Sequence, residues 1–471
     1  MHMRRGPFIL TLAGAFAGAT CVALAQTSAP THIAPPAPQP PHSEAPASSA
    51  HSAPPDSALR DLGEFMERAA ALKDNDIEGR LALARWCKNR EMWSQAADLA
   101  NQTLYRDPGN RAAYLILQQV DDARPLPEEP EVEKAITADA RKLFKHDFKT
   151  RNSKHFLLCY DTADAFAAKE GAVMEKVYDA FQFYFTMSTL RPDFLDKRLV
   201  VLLLKDRDDY LAYGRRTEHQ DLSWSAGFYS QRTNRSAFYD DSSGPTAATV
   251  ARQADDLKAA ISNLNQQISS AAAQHQTGLV NGLTVDRNRA AEALAQLNTR
   301  VGNTVQLLNT VKTMHEAAHQ IAFNTGIQSR LVDYPLWFSE GLACSFEIED
   351  GAGRRGPAIL NFGRIATIKD ALKDNTLVPL DQFITAPPPA KMDDATAGVL
   401  YAEGWGLFHY LFKFHREGME KYLLAYKAHA PLRAINADER KVLFTRAFGD
   451  DVDELNKKFV AYLRGLPARP N

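Results

Sequence analysis

The sequence has few cysteines, no excess of either charge and no long hydrophobic run beyond its first 25 residues. Its 4 cysteines among 471 residues are too few for a disulfide framework. The 55 Lys and Arg residues balance the 57 Asp and Glu residues, so we expect neither nucleic acid nor an anionic membrane as a partner. The chain also lacks a Gly-x-Ser-x-Gly motif, a phosphate-binding loop and a dinucleotide fingerprint. It therefore carries no signature of the enzyme classes that those motifs define.

The first 25 residues are typical of an export signal. Two arginines within Met1–Arg5 precede the uncharged segment Pro7–Ala25, which ends in the small-x-small pattern of a cleavage site. An uncleaved membrane anchor is the alternative, because 19 uncharged residues approach the length that spans a bilayer. We expect a cleaved signal peptide at 1–25 and an exported protein in the periplasm, the cell envelope or outside the cell. After signal removal we expect no membrane span.

Residues 26–57 predict a disordered linker. This segment has 9 prolines, 7 alanines and 6 serines, and it cannot bury enough apolar area to offset its ordering entropy. Removal of the signal would also remove Cys21 and leave Cys87, Cys159 and Cys344. At most one disulfide can form among three cysteines, and we expect all three to be buried as small apolar side chains.

Residues 58–124 predict a helical domain, because apolar residues recur there at i, i+3 and i+4. Part of this pattern resembles one tetratricopeptide unit, two antiparallel helices closed by a proline. The residues that carry it are Leu81, Leu83, Ala84, Ala96, Leu99, Leu104 and Asp107-Pro108-Gly109. A short peptide-binding array and a helical cap on the next domain are both consistent with a single unit.

Residues 150–471 predict a second domain of α+β class. A strand at His155–Tyr160, a helix at Ala165–Phe185 and a buried strand at Arg198–Leu204 precede a hairpin at Ala226–Tyr239. Residues 246–310 then follow a heptad pattern that predicts an inserted helical hairpin, interrupted at Gly278 and Gly282. The expected fold is thus mainly helical, with a small mixed sheet and a helical-hairpin insertion.

The second arm of that hairpin continues into the sequence His-Glu-x-x-His, formed by His315, Glu316 and His319. Residues four apart on a helix lie on one face, so two imidazoles at this spacing can bind one Zn²⁺. The glutamate beside them can take a proton from a metal-activated water. We expect the third ligand to be Glu340, the one acid in an apolar helix that begins near Pro335. The alternative for Glu340 is a surface position on an amphipathic helix.

His315–His319 together with Trp337-x-x-Glu340-Gly341 resembles the gluzincin superfamily of zinc metallopeptidases. The segment Tyr401–Leu407 looks like the tyrosine-x-x-glycine segment of its aminopeptidase-type branch. The region from about His155 to Leu466 is similar to a bacterial family of exported, uncharacterised peptidase-like domains, often preceded by tetratricopeptide helices. The resemblance implies a zincin-like catalytic domain over residues 150–471.

The resemblance also implies roles for individual residues. His315, His319 and Glu340 would hold Zn²⁺, and Glu316 would be the general base. Tyr401 would donate a hydrogen bond to the developing oxyanion; an ordinary packing role on a helix face is its alternative. Glu347, 7 residues after Glu340, is a further candidate as an acceptor for a ligand histidine.

The predicted function is hydrolysis of peptide bonds in a peptide or protein substrate. The glycine-x-methionine-glutamate-asparagine segment that holds a free amino terminus in the aminopeptidase branch is absent, so we expect an endopeptidase. The hairpin Ala226–Tyr239 is a candidate edge for pairing an extended peptide, with a purely structural sheet as the alternative. A second hypothesis is a non-catalytic, zinc-stabilised binding or assembly module of the cell envelope. Its protein partner would bind the tetratricopeptide-like helices or the helical hairpin.

Overall fold

The computed structural model describes residues 56–107, 109–186, 191–223, 225–386 and 393–468. The predicted signal peptide lies outside the described residues, as does the predicted linker up to residue 55. The described chain is mainly helical with one small mixed sheet, which confirms the α+β class. It forms two compact units, one of helices before residue 126 and one that contains the sheet.

The described residues of the first unit form four helices, in agreement with the helical prediction for 58–124. They are α1 (Asp56–Ala70), α2 (Ile77–Lys88), α3 (Trp93–Arg106) and α4 (Arg111–Asp122). The side chains of Asp76 and Asn110 cap α2 and α4 by accepting hydrogen bonds from backbone N–H groups of the first turn. The apolar residues of the tetratricopeptide-like pattern within α2 and α3 are all buried, namely Leu81, Leu83, Ala84, Ala96, Leu99 and Leu104.

The second unit is built on a five-stranded sheet. Its strands are β1 (Lys149–Asn152), β2 (Phe156–Tyr160), β3 (Leu199–Leu204), β4 (Gly227–Ser230) and β5 (Arg235–Tyr239). The spatial order is β1-β2-β3-β5-β4; β2, β3 and β5 are parallel, and β1 and β4 pair antiparallel at the two edges. The two predicted strands and the hairpin are confirmed, whereas β1 was not predicted.

Among its described residues, twelve helices complete the second unit. They are α5 (Pro130–Phe144), α6 (Asp164–Thr186), α7 (Arg207–Tyr213), α8 (Pro245–Ala273), α9 (Thr277–Asn324), α10 (Leu336–Cys344), α11 (Phe362–Asp374), α12 (Leu380–Phe383), α13 (Asp394–Phe414), α14 (Arg416–Lys427), α15 (Ala437–Phe448) and α16 (Val452–Gly465). A π-helical turn at Gly214–Glu218 follows α7.

Alternate residues of the central strand β3 face two different cores. Val201 and Leu203 pack with α6 and with the second half of α9, in the core that also contains α10 and α13. Leu202 and Leu204 pack with α5 and α7 on the opposite face. Helix α5 was not predicted from the sequence. Pro130 occupies the first turn of this helix, where its missing N–H is not needed.

Helices α8 and α9 confirm the inserted hairpin. The heptad positions of α8 are the less exposed positions of an otherwise exposed helix, and Ala254 and Ala271 are buried against α9. The predicted interruption at Gly278 and Gly282 is wrong, since both lie in the first turns of α9. The reversal occurs at Gln274–Gln276, where His275 adopts a left-handed conformation with φ of 57°.

The burial of the three remaining cysteines agrees with expectation. Cys87, Cys159 and Cys344 are free and buried, and burial raises the pKa of each thiol, for Cys159 to about 12. Among the described residues, no helix combines the length and the apolar character that crossing a membrane requires.

Candidate metal centre

The second half of α9 brings His315, Glu316 and His319 into the interior. The helix runs without a break from the hairpin into the core, and from Val311 to Phe323 every residue is buried. The two imidazoles are 4 residues apart, and their Nε2 atoms are 3.2 Å from each other. Two ring nitrogens at this distance share either a proton, in a hydrogen bond, or a metal ion that both can ligate.

Glu340 completes this cluster from α10. Its Oε2 is 3.2 Å from Nε2 of His315 and 3.5 Å from Nε2 of His319. The three donor atoms lie within 4.8 Å of one another, and all three residues are buried. The prediction that Glu340 joins the histidine pair is therefore consistent with the geometry, and its alternative as a surface residue is wrong.

The charges of this cluster are strongly coupled. Burial alone raises the pKa of Glu340, but the positive field of His319 and the hydrogen bonds with both imidazoles outweigh it and hold the pKa below its usual range. Burial lowers the pKa of His319, although the charge of Glu340 opposes this shift. An ionised carboxylate and an imidazole nitrogen without a proton are the forms in which these side chains bind a metal.

The opposite nitrogen of His315 is held by Glu347. Nδ1 of His315 donates to Oε1 of Glu347 at 2.8 Å, and both residues are buried. This bond fixes the ring so that Nε2 points towards Glu340 and His319. The prediction that Glu347 accepts a hydrogen bond from a ligand histidine agrees with this geometry.

Glu347 is itself held by two residues of the α11 region. Arg364 donates from Nη2 to Oε1 at 2.5 Å and from Nε to Oε2 at 3.0 Å, and Asn361 donates from Nδ2 to Oε2 at 3.0 Å. Burial acts to raise the pKa of Glu347, but the guanidinium charge of Arg364 outweighs it and holds the pKa far below the usual range. Glu347 therefore stays ionised and keeps its hydrogen bond to His315.

Arg364 and Asn361 were not identified from the sequence. They follow Glu347 by 17 and 14 residues, across a turn with an isolated bridge, so no helical or strand spacing relates them. One local signal was available for Asn361, which caps α11 by accepting from the N–H of Arg364.

Glu316 lies beside the cluster with its carboxyl group buried. Both carboxyl oxygens lack a hydrogen-bond partner of regular geometry among the described residues. Burial raises the pKa of Glu316 to about 8; the charge of Glu340 acts in the same direction, while His315, Lys312 and the N–H of Tyr229 oppose it. An unpartnered buried carboxyl group is costly, so this position is typical of a group that meets water or substrate.

The edge strand β4 approaches Glu316 closely. A Cβ atom placed on Gly227 would lie 3.0 Å from both Cγ and Oε1 of Glu316. The glycine thus allows the backbone of β4 to pass directly beside this carboxyl group.

Tyr401 lies on α13 next to the first histidine. Its ring is buried, and its centroid is 6.2 Å from that of His315 at an angle of 85°. The guanidinium carbon of Arg364 is 5.7 Å from the same tyrosine ring. Gly341 has no side chain, and this lets α10 approach α13 closely. A methyl group on Gly341 would overlap the carbonyl of Gly404. This close packing brings the helix of Glu340 next to that of Tyr401.

Two other groups of candidate ligands occur among the described residues. Cys344 lies on the Nδ1 side of His315, with its Sγ 4.0 Å from that nitrogen, in a group with Glu347. Burial raises the pKa of the Cys344 thiol to about 11, so it stays protonated. The third group is at the surface and consists of His146, Asp161 and Asp209.

Comparison with known protein families gives a match over part of the chain. Residues 308–433 match the model of a family described as a protein of unknown function, DUF1570. The matched segment contains the six residues singled out from the sequence, His315, Glu316, His319, Glu340, Glu347 and Tyr401. No curated protein and no solved structure matches the chain.

Proposed function

We propose that this chain is an exported zinc-dependent peptidase of gluzincin type, with a zincin-like catalytic domain in residues 150–471. One observation carries the proposal. The buried donor atoms of His315, His319 and Glu340 converge on one point beside the unpartnered carboxyl group of Glu316. A structural zinc site needs four protein ligands and no base, whereas a catalytic site has three and an open position.

The donor set fits Zn²⁺ by its chemistry. Two imidazole nitrogens and one carboxylate oxygen form one of the ligand sets that catalytic zinc uses, and Glu347 supplies the carboxylate that commonly supports a ligand histidine. When bound, Zn²⁺ would act as a Lewis acid and make water acidic near neutral pH. Magnesium and calcium are disfavoured, because they prefer sites made entirely of oxygen donors.

Glu316 is the residue that moves the proton. Its carboxyl group is next to the donor cluster and is not engaged by another side chain, so it can accept a proton from the attacking water. The same carboxyl group can then return the proton to the leaving nitrogen of the substrate. Burial raises the pKa of this carboxyl group to about 8, which places it near the working pH of a proton-transfer group.

Tyr401 is the candidate donor to the oxyanion of the tetrahedral species. It is buried next to His315, and Arg364 lies near its ring. A hydroxyl group held in such a water-poor site stabilises developing negative charge more strongly than water does.

The substrate we propose is an extended peptide chain placed along β4. This strand is at the edge of the sheet and pairs with β5 on one side, and Gly227 lies against Glu316. A peptide that adds to this edge would place its backbone near the general base. The absent amino-terminus motif favours cleavage within a chain over removal of its first residue.

Glu316→Gln tests this function. The substitution keeps the shape of the side chain but removes its basic oxygen, so Zn²⁺ should stay bound while cleavage of amino-blocked peptides falls by about 10²–10⁴-fold. Glu417→Gln, on the first turn of α14, is the matched control and should retain full activity. Full activity in Glu316→Gln would contradict the mechanism.

A zinc-stabilised binding module of the cell envelope is the second candidate. The observation that favours it is the α8–α9 hairpin, whose exposed arms lie outside the two main cores of the sheet. Its partner would be a protein bound at this hairpin or at the tetratricopeptide-like helices. Loss of function on removal of the hairpin, with no effect of Glu316→Gln, would favour this candidate.

A further inference from the structure

A cavity of about 370 Å³ lies on the face of the sheet opposite the donor cluster. It is formed between the C-terminal end of α5 and the π-helical turn Gly214–Glu218, and Leu202 of β3 lines it. Its volume is within the range of about 300–1,000 Å³ that small-molecule sites occupy. The proposed peptidase chemistry makes no use of this cavity.

The cavity has a strong local excess of positive charge. Its five charged lining residues are four cations, Lys142, Lys145, Arg216 and Arg235, and one acid, Asp139. The chain as a whole has 55 basic and 57 acidic residues, so this excess is not a general property of the protein. Asp139 lies 3.8 Å from Arg235 and partly compensates that cation. The lining keeps a net excess of three positive charges, which attracts an anion.

The floor of the cavity is apolar. Ile136, Phe144 and Leu202 are buried members of one hydrophobic cluster and line the cavity. Tyr213 also lines it, but its hydroxyl group donates to Glu218 at 2.8 Å. A ligand that fits this site therefore has an apolar part for the floor and a negative group for the rim.

Two uncommon backbone conformations meet at the rim. Lys145 ends α5 in the left-handed region with φ of 69°, a conformation that costs energy for residues other than glycine. Arg216 is in the π-helical turn, a structure found frequently at functional sites. Nη1 of Arg216 also donates to the carbonyl of Leu143 at 3.2 Å, which ties the two sides of the rim together.

We propose that this cavity binds an amphiphilic anion, a short aliphatic chain that carries a carboxylate or phosphate head group. The aliphatic chain lies over Leu202 and Phe144, and the head group lies between Lys145 and Arg216. The site is independent of the donor cluster on α9 and goes beyond the proposed peptidase function.

Calorimetric titration of the full chain with octanoate and octyl phosphate tests this site, with octanol as the neutral probe. The double variant Lys145→Asn/Arg216→Gln removes two cations, and asparagine tolerates the left-handed conformation at 145. Lys134→Gln is the matched control, because Lys134 is exposed on α5 and does not line the cavity. Circular dichroism checks the fold, and Arg216→Gln alone is used if the double variant does not fold.

At least one anionic probe should bind about tenfold more tightly than octanol, and the double variant should lose about tenfold in affinity while Lys134→Gln loses none. The tighter of the two anionic probes identifies the head group. Binding must persist in His319→Ala, since a carboxylate could otherwise be ligating a metal at the donor cluster. No binding at about 1 mM, equal binding of octanol, an unaffected double variant or loss in His319→Ala would each overturn the proposal.

Discussion

The backbone of Gly227 lies directly against the carboxyl group of Glu316, so that a Cβ atom at 227 would be 3.0 Å from Oε1. This relationship joins the edge strand of the sheet to the proposed general base. It explains why a glycine stands in β4 at a position that has no left-handed backbone requirement.

Gly227→Ala should therefore displace the carboxyl group of Glu316. Because proton transfer depends on its position within about 1 Å, we expect kcat for peptide cleavage to fall at least about tenfold with zinc content unchanged. Gly278→Ala is the control, since a Cβ there meets no atom within 4 Å. An unchanged kcat in Gly227→Ala would show that the strand does not position the base.

Glu347→Gln tests the support of His315. The variant loses the carboxylate that accepts from Nδ1, and it leaves Arg364 buried without its ion pair. We expect zinc affinity, measured by competition with a chelator, to fall by about 10–100-fold. Glu349→Gln, in which the half-exposed neighbour is changed, should keep the affinity of the unmodified protein. Equal affinities in the two variants would contradict the role of Glu347.

The buried carboxyl group of Glu403 should make the stability of the fold depend on pH, independently of the metal centre. Burial raises the pKa of its carboxyl group from 4.5 to about 8, although the N–H of Val378 donates to it at 3.0 Å. The folded protein thus holds a proton that the unfolded chain releases. The contribution of Glu403 to the free energy of unfolding is complete below about pH 4.5 and is lost as the pH rises to about 8. Comparison of urea unfolding at pH 5 and pH 8 should show a loss on the order of a few kcal/mol that Glu403→Gln reduces.

The buried imidazole of His409 should make stability depend on pH in the opposite direction, at lower pH. Burial lowers the pKa of its imidazole from 6.5 to about 4, and the ring stacks on Trp405 at 5.2 Å. The folded protein favours the neutral ring. The contribution of His409 to the free energy of unfolding is therefore present above about pH 6.5 and is lost as the pH falls towards 4. His409→Gln should lose less stability than the unmodified protein between pH 7 and pH 5. An identical loss in both proteins would show that His409 is protonated in the folded state.

Removal of the hairpin separates the two candidate functions. Replacing residues 250–305 by a short glycine–serine turn leaves Asn309 and Lys312 in place, and these residues bond to the segment around Asp241. The deleted part lies outside both main cores, so zinc binding and peptide cleavage should stay within about threefold of the intact chain. Loss of zinc would show that the hairpin supports the metal centre.

Periodic patterns in the sequence were sufficient to predict most of the elements around the site. The heptad stripe of α8 and α9, the apolar run of β3 and the His-Glu-x-x-His spacing all depend on contacts within one element or between neighbours. The role of Glu340 could also be predicted from the sequence, because a single acid on the apolar side of a helix needs a buried partner.

The features that were not predicted depend on contacts between segments distant in the sequence. The ion pair of Arg364 with Glu347 and the approach of Gly227 to Glu316 join residues that no sequence period relates. Helix α5 begins at a proline in a proline-containing segment, which is not typical of a helix. The short strand β1 is polar and shows no alternation of apolar residues. Such features follow from how the helices pack on the sheet, which local patterns do not encode.

The most direct test of the central claim is elemental analysis of the full chain purified without chelators, beside His319→Ala and Glu316→Gln. The proposed centre predicts one zinc per chain, retained in Glu316→Gln and lost in His319→Ala, because His319 is one of the ligands and Glu316 is not. A chain that holds no zinc, or a His319→Ala variant that holds as much as the unmodified protein, would contradict the assignment of this cluster as a zinc site.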